Sequence, residues 1–370
     1  MRCVAALSTH PTPAHAAGDV VADLLEREQS PPSLLLVLVS PPLAGAADDL
    51  RRTLHAILRP VELIIVVTSG LLAAGNEVTK GPAIALWGLW TESDEELVVS
   101  HSADATLAHR AIGSESTQPG HTLVLADPNC AELSRVLARV EELESTRTVS
   151  GALLADATTP VVMMDGDGVA RSLTLLSFTA AAIEPRIGFG SEALSQRFRA
   201  GRVVDSMLCE IDGAPAIERV ETVLSTLDAH ERSQAALDLA VGVVDPDSGA
   251  VHDVVRVLGA DRANGALALA RSIPQGAICE FHRQDRTTSG TGIIDALGGT
   301  VSAGALLFVT DPIDPDVADS GVADLAIVCE ALGTAHFAGL HVTSVIGGSS
   351  GPARLLPAPL GAAIFRPSHH

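Results

Sequence analysis

Aromatic residues and lysine are scarce in this chain of 370 residues. Aromatic side chains make up 2% of the sequence and tyrosine is absent, so there are too few rings to stack the bases of a nucleic acid. The single lysine is Lys80, and no G-x-x-x-x-G-K-[ST] motif occurs, which excludes a P-loop. The Tyr–Lys pair of a short-chain dehydrogenase is excluded as well, since there is no tyrosine.

Paired cysteines, long apolar runs and excess positive charge are also missing. The five cysteines lie far apart without a C-x-x-C motif, which is typical of reduced thiols in a cytoplasmic protein. Apolar runs such as Leu34–Val39 have the length of strands, far below the ~20 residues of a membrane span. The net charge of −21 would repel a nucleic-acid backbone or an anionic lipid surface. We therefore expect a cytoplasmic protein that binds neither nucleic acid nor membrane.

Apolar residues make up 47% of the sequence and charged residues 19%, which favours a folded chain of two domains. A strand–helix–strand pattern occurs three times, at residues 34–68, 121–156 and 304–343. Its strands are apolar without alternation, so we predict that they are buried on both faces of a sheet covered by helices. The composition changes around residues 185–202, where we place the boundary between domains at 1–190 and 200–368.

The segments between these units alternate more and carry turn residues, which predicts β-hairpins. These segments are residues 78–90, 159–170, 173–179, 203–211, 266–270 and 277–283. A helix is predicted at residues 215–227, after the Asp212-Gly213 turn. The predicted fold is therefore α/β, with two domains of mixed β-sheets flanked by helices, and not a doubly wound parallel sheet.

Small polar residues follow several predicted strands. Ligands of open α/β sheets collect beyond the carboxyl ends of strands, and hydroxyls, glycines and carboxylates suit a pocket for a polar small molecule. Such residues also start turns and cap helices, so each position has a purely structural alternative. The residues at these ends are Ser40, Thr68-Ser69-Gly70, Asp127, Asp311 and Thr343-Ser344.

No motif indicates catalysis, a cofactor or a metal. The G-x-S-x-G match around Ser349 is followed by prolines where a nucleophile elbow needs a helix, so a loop is favoured. The G-x-G-x-x-A match at 188–193 lacks a preceding buried strand and reads as a linker. Aspartates at 311–319 fit no calcium loop, and His336 and His341 imply no third zinc ligand. We expect no enzyme and no serine or thiol held on an imidazole.

One basic concentration stands out against the acidic background, and it contains Arg186, Arg197 and Arg199. Guanidinium groups bind carboxylates or phosphates through two parallel hydrogen bonds, so these side chains are candidates for holding an anionic ligand. Ion pairs on the protein surface are the alternative, and the sequence leaves both open.

The order of short motifs resembles the FIST family. Residues 34–90, with G-N-E-V-x-x-G-P-A-I-A-L at 75–86, look like the FIST N-terminal domain. The run E-I-D-G-A-P-A at 210–216 resembles the signature that opens the C-terminal FIST domain, and 304–308 and 362–365 resemble the close of that domain. The chain is thus similar to a FIST protein over nearly its whole length.

This resemblance implies an intracellular sensory module that binds an amino acid or a related small polar metabolite between its two domains. Signalling would pass through a separate partner, such as a sensor kinase. The candidate ligand-binding residues are Ser69, Gly70, Glu77, Asp127, Arg186, Glu210, Asp212, Asp311 and Ser344. One alternative is a protein-interaction or scaffold module with a degenerate pocket, since residues 344–348 replace an acidic turn usual in the family. A hydrolase that uses Ser349 or Cys209 is another.

Overall fold

The computed structural model forms two compact units along the chain. Met1–Gly188 and Ile293–His370 make up the first unit, and Phe189–Gly292 makes up the second. The predicted domains, 1–190 and 200–368, concern family domains and stay a prediction. The structure describes residues 1–91, 96–101, 120–130, 133–143, 147–154, 162–164, 170–179, 183–246, 249, 251–284, 296–299, 301–310, 325–348, 353–356 and 358–367.

The first unit contains a six-stranded mixed sheet. In sheet order its strands, numbered along the chain, are β1 (Arg2–Ser8), β6 (Ile84–Trp90), β2 (Leu34–Val39), β3 (Glu62–Val67), β10 (Val162–Met164) and β11 (Ala170–Arg171). Only β2 and β3 are parallel, and helix α2 (Ala47–Leu58) connects them. Helices α1 (Pro13–Arg27) and α2 bury their apolar faces against one side of this sheet.

A larger mixed sheet of eleven strands completes the first unit. Its main path runs through β13 (Ile183–Gly188), β25 (Leu360–Phe365), β22 (Gly304–Thr310), β23 (Phe337–Gly348), β9 (Arg147–Leu154), β8 (Gly120–Ala126), β12 (Leu173–Thr179) and β7 (Glu96–His101). Off this path, β24 (Arg354–Leu356) and β4 (Leu71–Ala73) pair with β23, and β5 (Asn76–Val78) pairs with β4. Helix α3 (Leu133–Leu143) packs on the β8–β9 side and helix α6 (Leu325–Leu332) on the β22–β25 side.

The two sheets of the first unit pack against each other. Trp87 of β6 donates its indole N–H to the carbonyl oxygen of His336 at 3.3 Å, and its ring centroid lies 4.9 Å from that of Phe365 on β25. The helices cover the opposite faces, where Leu54 packs on the first sheet and Val328 on the second. The first unit is therefore layered as helices, sheet, sheet and helices.

The second unit is an antiparallel sheet of eight strands. In order these are β14 (Ser191–Ala193), β21 (Ile278–Gln284), β15 (Phe198–Val204), β16 (Met207–Ile211), β20 (Ala266–Leu269), β19 (Val251–Asp261) and β18 (Leu239–Val244), with β17 (Ala214–Pro215) on β16. Since β18 also pairs with β21, the strands between them close into a ring. One face of this ring forms a core with helix α4 (Ala216–Ser225), and α5 (Ala229–Leu237) follows with a capping box at Asp228.

The α/β prediction is confirmed, and so are the three strand–helix–strand units. The pairs β2–β3, β8–β9 and β22–β23 are each parallel and enclose a helix. The hairpins at 203–211 and 266–270 are confirmed, but the one at 78–90 is wrong because β6 pairs with β1 and β2 instead of β5. Within the described ranges, no helix is long and apolar enough to cross a membrane.

Candidate functional site

The chain crosses from the first sheet to the second at Thr68-Ser69-Gly70, between β3 and β4. The backbone N–H of His341, on β23, donates to the carbonyl oxygen of Gly70 at 2.9 Å. The hydroxyl of Thr68 donates to the carbonyl oxygens of Gly70 (2.9 Å) and His341 (3.3 Å). These bonds fasten the crossing to the middle of β23, and we call this place the crossing site.

A buried imidazole–carboxylate pair lies at the crossing site. Nε2 of His341 is 2.8 Å from Oε1 of Glu77, and the two side chains are 8% and 12% exposed. Strand registers place the pair: β4 pairs Leu72 with both Glu77 and Gly339, so Glu77 lies on the same face of the sheet as His341, two residues after Gly339. Sequence separation of 264 residues between the partners hid this pair from pattern analysis.

Gly70 borders the imidazole of His341, and Ser69 precedes Gly70 in the chain. A Cβ on Gly70 would lie 2.5 Å from Nδ1 of that ring, so the ring fills the space that a side chain would need. The hydroxyl oxygen of Ser69 is buried and has no hydrogen-bond partner within the described part of the chain. A buried hydroxyl without a partner is costly, and a bound ligand could supply the missing hydrogen bond.

A β-bulge on β23 follows directly after His341. The first half of β23 pairs with β22 and β4, and the second half pairs with β9 and β24. The register with β9 shifts between Val342 and Ser344, and Thr343 donates its hydroxyl to the carbonyl oxygens of Leu153 (3.1 Å) and Leu154 (3.3 Å). Bulges change the direction of side chains and are common next to functional sites, so this bulge is a second feature that favours the crossing site.

Several strand ends meet at this bulge. Thr310, which ends β22, and Leu154, which ends β9, both lie opposite Val342. The end of β8 is one strand further, because Ala126 pairs with Leu153. Asp127 therefore lies about 10 Å along the sheet from β23, at two strand spacings. Its carboxylate accepts the backbone N–H of Asn129 at 2.7 Å, which is the turn role considered above.

The other predicted residues divide into two groups. Ser344 lies one residue past the bulge, half-buried, opposite Leu153. Gly70 and Glu77 are brought together at His341, the residue that sequence reasoning set aside, with Ser69 next to Gly70 in the chain and Ser344 three residues after His341 on the same strand. Asp311 lies outside the described residues.

Arg186, Glu210 and Asp212 lie elsewhere. Arg186 is on β13, three strands from β23, and pairs with Glu184. In the second unit, Glu210 binds Arg202 at 2.9 Å. The carboxylate of Asp212 accepts the backbone N–H of Arg199 and binds Arg219, both at 3.0 Å, and these contacts, led by the backbone bond, lower its pKa. Their contacts are those of turns and surface ion pairs.

The other two arginines of the basic concentration contact backbone carbonyls. Arg197 donates to Gly249 at 2.6 Å and Arg199 to Gly276 at 3.1 Å. Among the described residues, no group of three or more histidine, cysteine or carboxylate side chains could hold a metal ion.

Two serine hydroxyls do lie on imidazoles, so that part of the sequence prediction is wrong. Nε2 of His121 is 2.8 Å from Oγ of Ser150, and Nδ1 of His282 is 2.9 Å from Oγ of Ser191. The alternation at 277–283 already indicates that Glu280 and His282 share a face, but nothing in the sequence brings Ser191 to them.

Of the two nucleophiles suggested for a hydrolase, Ser349 lies outside the described residues. The other, Cys209, is buried, and its thiol donates to the carbonyl oxygen of Met207.

The second unit also has an apolar groove of about 660 Å³ between α4, α5 and β19. Leu237 and Leu258 line it and are 74% and 65% exposed, and Arg256 and Arg262 supply charge. None of the predicted ligand-binding residues lines this groove.

Part of the chain is similar to a known protein family. Residues 33–214 match the family model of the FIST N domain. The protein carries a FIST N domain. FIST domains are assigned to sensory signalling, generally without catalysis. The match includes Ser69, Gly70 and Glu77, whereas His341 lies beyond it, so the buried pair joins the FIST N domain to the later part of the chain. The C-terminal FIST domain stays a prediction.

The relatives are distant and cover most of the chain. An uncharacterised protein of Mycobacterium tuberculosis is 23% identical over 299 residues, which is 77% of this chain and 77% of its own. An uncharacterised protein of Mycobacterium bovis is 21% identical over 337 residues, which is 86% of this chain and 87% of its own. Neither name states a ligand or an activity.

Proposed function

We propose that this FIST N protein is a sensory module that binds a small polar metabolite, an amino acid or a related carboxylate, at the crossing site. A separate partner, such as a sensor kinase, would carry the signal onward. The observation that supports this most is the buried His341–Glu77 pair, whose ring lies on Gly70, the residue after Ser69. The family supports the sensory class, and the geometry supports the polarity of the ligand.

Two polar groups match the two ends of an amino acid. The hydroxyl of Ser69 is a hydrogen-bond donor for a carboxylate, and the carboxylate of Glu77, which His341 holds through Nε2, is an acceptor for an ammonium group. Low exposure strengthens such contacts, because charged hydrogen bonds are worth more away from water. The strand ends around the bulge of β23 provide the kind of position at which α/β sheets bind ligands.

A thermal-shift screen of amino acids and small carboxylates tests this function. A ligand at about 100 times its Kd should stabilise the folded protein by about 2.7 kcal/mol. Ser69→Ala and Glu77→Gln should lose this stabilisation. Glu210→Gln is the matched control, because Glu210 pairs with an exposed arginine in the second unit and should leave the shift intact.

Two results would contradict the proposal. One is a folded protein that no compound of either class stabilises, and the other is loss of the shift in Glu210→Gln to the same degree as in Glu77→Gln. A protein that no metabolite stabilises, but that forms a stable complex with a signalling protein in light-scattering and pull-down experiments, would favour the interaction module instead.

A further inference from the structure

The second unit holds a serine, a histidine and a glutamate in one hydrogen-bonded chain. Oγ of Ser191 lies 2.9 Å from Nδ1 of His282, and Nε2 of the same ring lies 3.2 Å from Oε1 of Glu280. The guanidinium of Arg197 lies 3.6 Å from the other oxygen of Glu280. His282 is 5% exposed and Ser191 is half-buried, so the imidazole is shielded while the hydroxyl remains near the surface.

Strand geometry explains why these side chains meet. Glu280 and His282 are two residues apart on β21 and therefore share a face, while Phe281 between them points into the core. β14 pairs with β21 so that Ala193 lies opposite His282, which puts Ser191 on the face of Glu280 and His282. The third requirement is space for the ring, and Gly242 provides it, because a Cβ there would lie 2.5 Å from Nε2 of His282.

The contact with Glu280 favours one tautomer of the imidazole. The carboxylate of Glu280 accepts from Nε2, and in that tautomer Nδ1 accepts the hydroxyl proton of Ser191. Burial lowers the pKa of His282 below its ordinary value, against the opposing effects of Glu280 and of a hydrogen bond with the backbone of Ser191, and a lowered pKa favours the uncharged ring at neutral pH. These are the conditions under which an imidazole acts as a general base for a hydroxyl.

We propose that Ser191 is a nucleophilic serine that takes an acyl group from a small activated ester, with His282 as its base and Glu280 as the residue that positions the ring. Oγ of Ser191 forms a bond to the acyl carbon, and the bond from that carbon to the leaving oxygen breaks. The hydroxyl proton passes to Nδ1 of His282 and then to the leaving alkoxide. Water releases the acyl group by the reverse sequence, so the cycle needs no further reactant.

The accessible side of the site limits the substrate to a small acyl group. Ser191 starts β14, the edge strand of its sheet, directly after Gly190, whose φ of +56° turns the chain. The hydroxyl side chain of Ser191 is half-buried and the ring of His282 against it is 5% exposed, so a substrate approaches Oγ from the side opposite the ring. Short acyl esters of good leaving groups are therefore the substrate class. This activity is independent of the proposed metabolite binding, because the two sites share no residue.

Labelling of the full-length protein with a fluorophosphonate probe, followed by mass spectrometry of the labelled peptide, tests the proposal. The p-nitrophenyl acetate burst gives the acylation rate. The label should map to Ser191 and disappear in Ser191→Ala. His282→Gln should lower the acylation rate about 100-fold, the usual scale of a general base. Ser195→Ala is the matched control, since that hydroxyl accepts the backbone N–H of Phe281 and contacts no imidazole, and it should label normally.

Two further variants separate positioning from folding. Gly242→Ala keeps all three side chains but displaces the ring, so labelling should fall at least 10-fold while circular dichroism stays unchanged. Glu280→Gln should slow acylation without abolishing the label, because Ser191 and His282 remain. The proposal is overturned if folded wild-type protein takes no label, if the label maps to another residue, or if His282→Gln reacts as fast as wild type. Failure here leaves the thermal-shift result at the crossing site unaffected.

Discussion

The two units each hold a histidine paired with a glutamate, and the pairs are built differently. His341–Glu77 joins residues 264 positions apart, at a place where the chain passes between two sheets. His282–Glu280 joins neighbours on one face of one strand. Both rings lie over a glycine whose Cβ would be 2.5 Å away, Gly70 in the first unit and Gly242 in the second. The first pair therefore depends on long-range architecture, whereas the second follows from alternation along β21 and from the space that Gly242 leaves on β18.

The largest expected effect comes from filling the space under His341. Gly70→Ala should lower the free energy of unfolding by about 3 kcal/mol, because the ring must move from a packed position that backbone bonds fix. Urea denaturation measures this. Gly18→Ala in helix α1 is the control, since its Cβ would meet nothing within 4 Å and alanine favours a helix. A Gly70→Ala protein within 0.5 kcal/mol of wild type would show that the ring is not fixed.

Removing one carboxylate from each pair compares the pairs directly. Glu77→Gln should cost about 2 kcal/mol, because a charged hydrogen bond at 2.8 Å between two mostly buried side chains is lost. Glu280→Gln should cost about 1 kcal/mol or less, since its bond to His282 is longer at 3.2 Å. Chemical denaturation of both variants gives the order, and a larger loss for Glu280→Gln would reverse the comparison.

The second pair should also make stability depend on pH. Burial lowers the pKa of His282 in the folded protein below its ordinary 6.5, so the unfolded chain binds a proton there first. Stability from this residue is therefore complete above pH 6.5 and declines as the pH falls from 6.5 toward the folded pKa. His282→Gln should flatten this part of the Tm profile between about pH 7.5 and 5.5, a window around that ordinary value. Equal slopes in both proteins would argue against a buried, neutral imidazole.

The smallest expected effect on stability belongs to Ser69→Ala. Its hydroxyl has no partner among the described residues, so its removal breaks no hydrogen bond and should change the free energy of unfolding by less than about 0.5 kcal/mol. Thr68→Val is the matched contrast, because the neighbouring hydroxyl makes two buried hydrogen bonds and its loss should cost more. Equal costs would mean that the Ser69 hydroxyl has a structural partner.

Local pattern was sufficient for much of the fold. The unbroken apolar runs of β2, β3 and β22 predict buried strands, and all three are buried inside mixed sheets. Asn264-Gly265 predicts the hairpin of β19 and β20, because such turns need a residue with a positive φ. Gly265 adopts a φ of +66° there. The order of strands within a sheet could not be predicted from local pattern. β6 follows β5 in sequence but lies between β1 and β2, because tertiary packing decides its neighbours.

The candidate site was half accessible from sequence for the same reason. Ser69 and Gly70 follow from a strand end, which is a local feature, and Glu77 follows from the family resemblance of residues 75–86. His341 is selected by the register of β4 against β23, and the serine at His282 by the pairing of β14 with β21. Both registers are set by tertiary packing between strands that are far apart in sequence, so no local pattern around His341 or His282 indicates its partner.

The second unit is inserted in the sequence of the first unit, so the strands of the first unit are synthesised in two separate stretches. All strands of the second unit leave the ribosome before β22, β23 and β25 exist. Of the described strands, β13 pairs only with β25, and β9 has β8 alone until β23 arrives. The larger sheet of the first unit therefore stays incomplete while more than a hundred residues are added to the nascent chain. A product that ends after β21 would lack His341, the histidine of the crossing site.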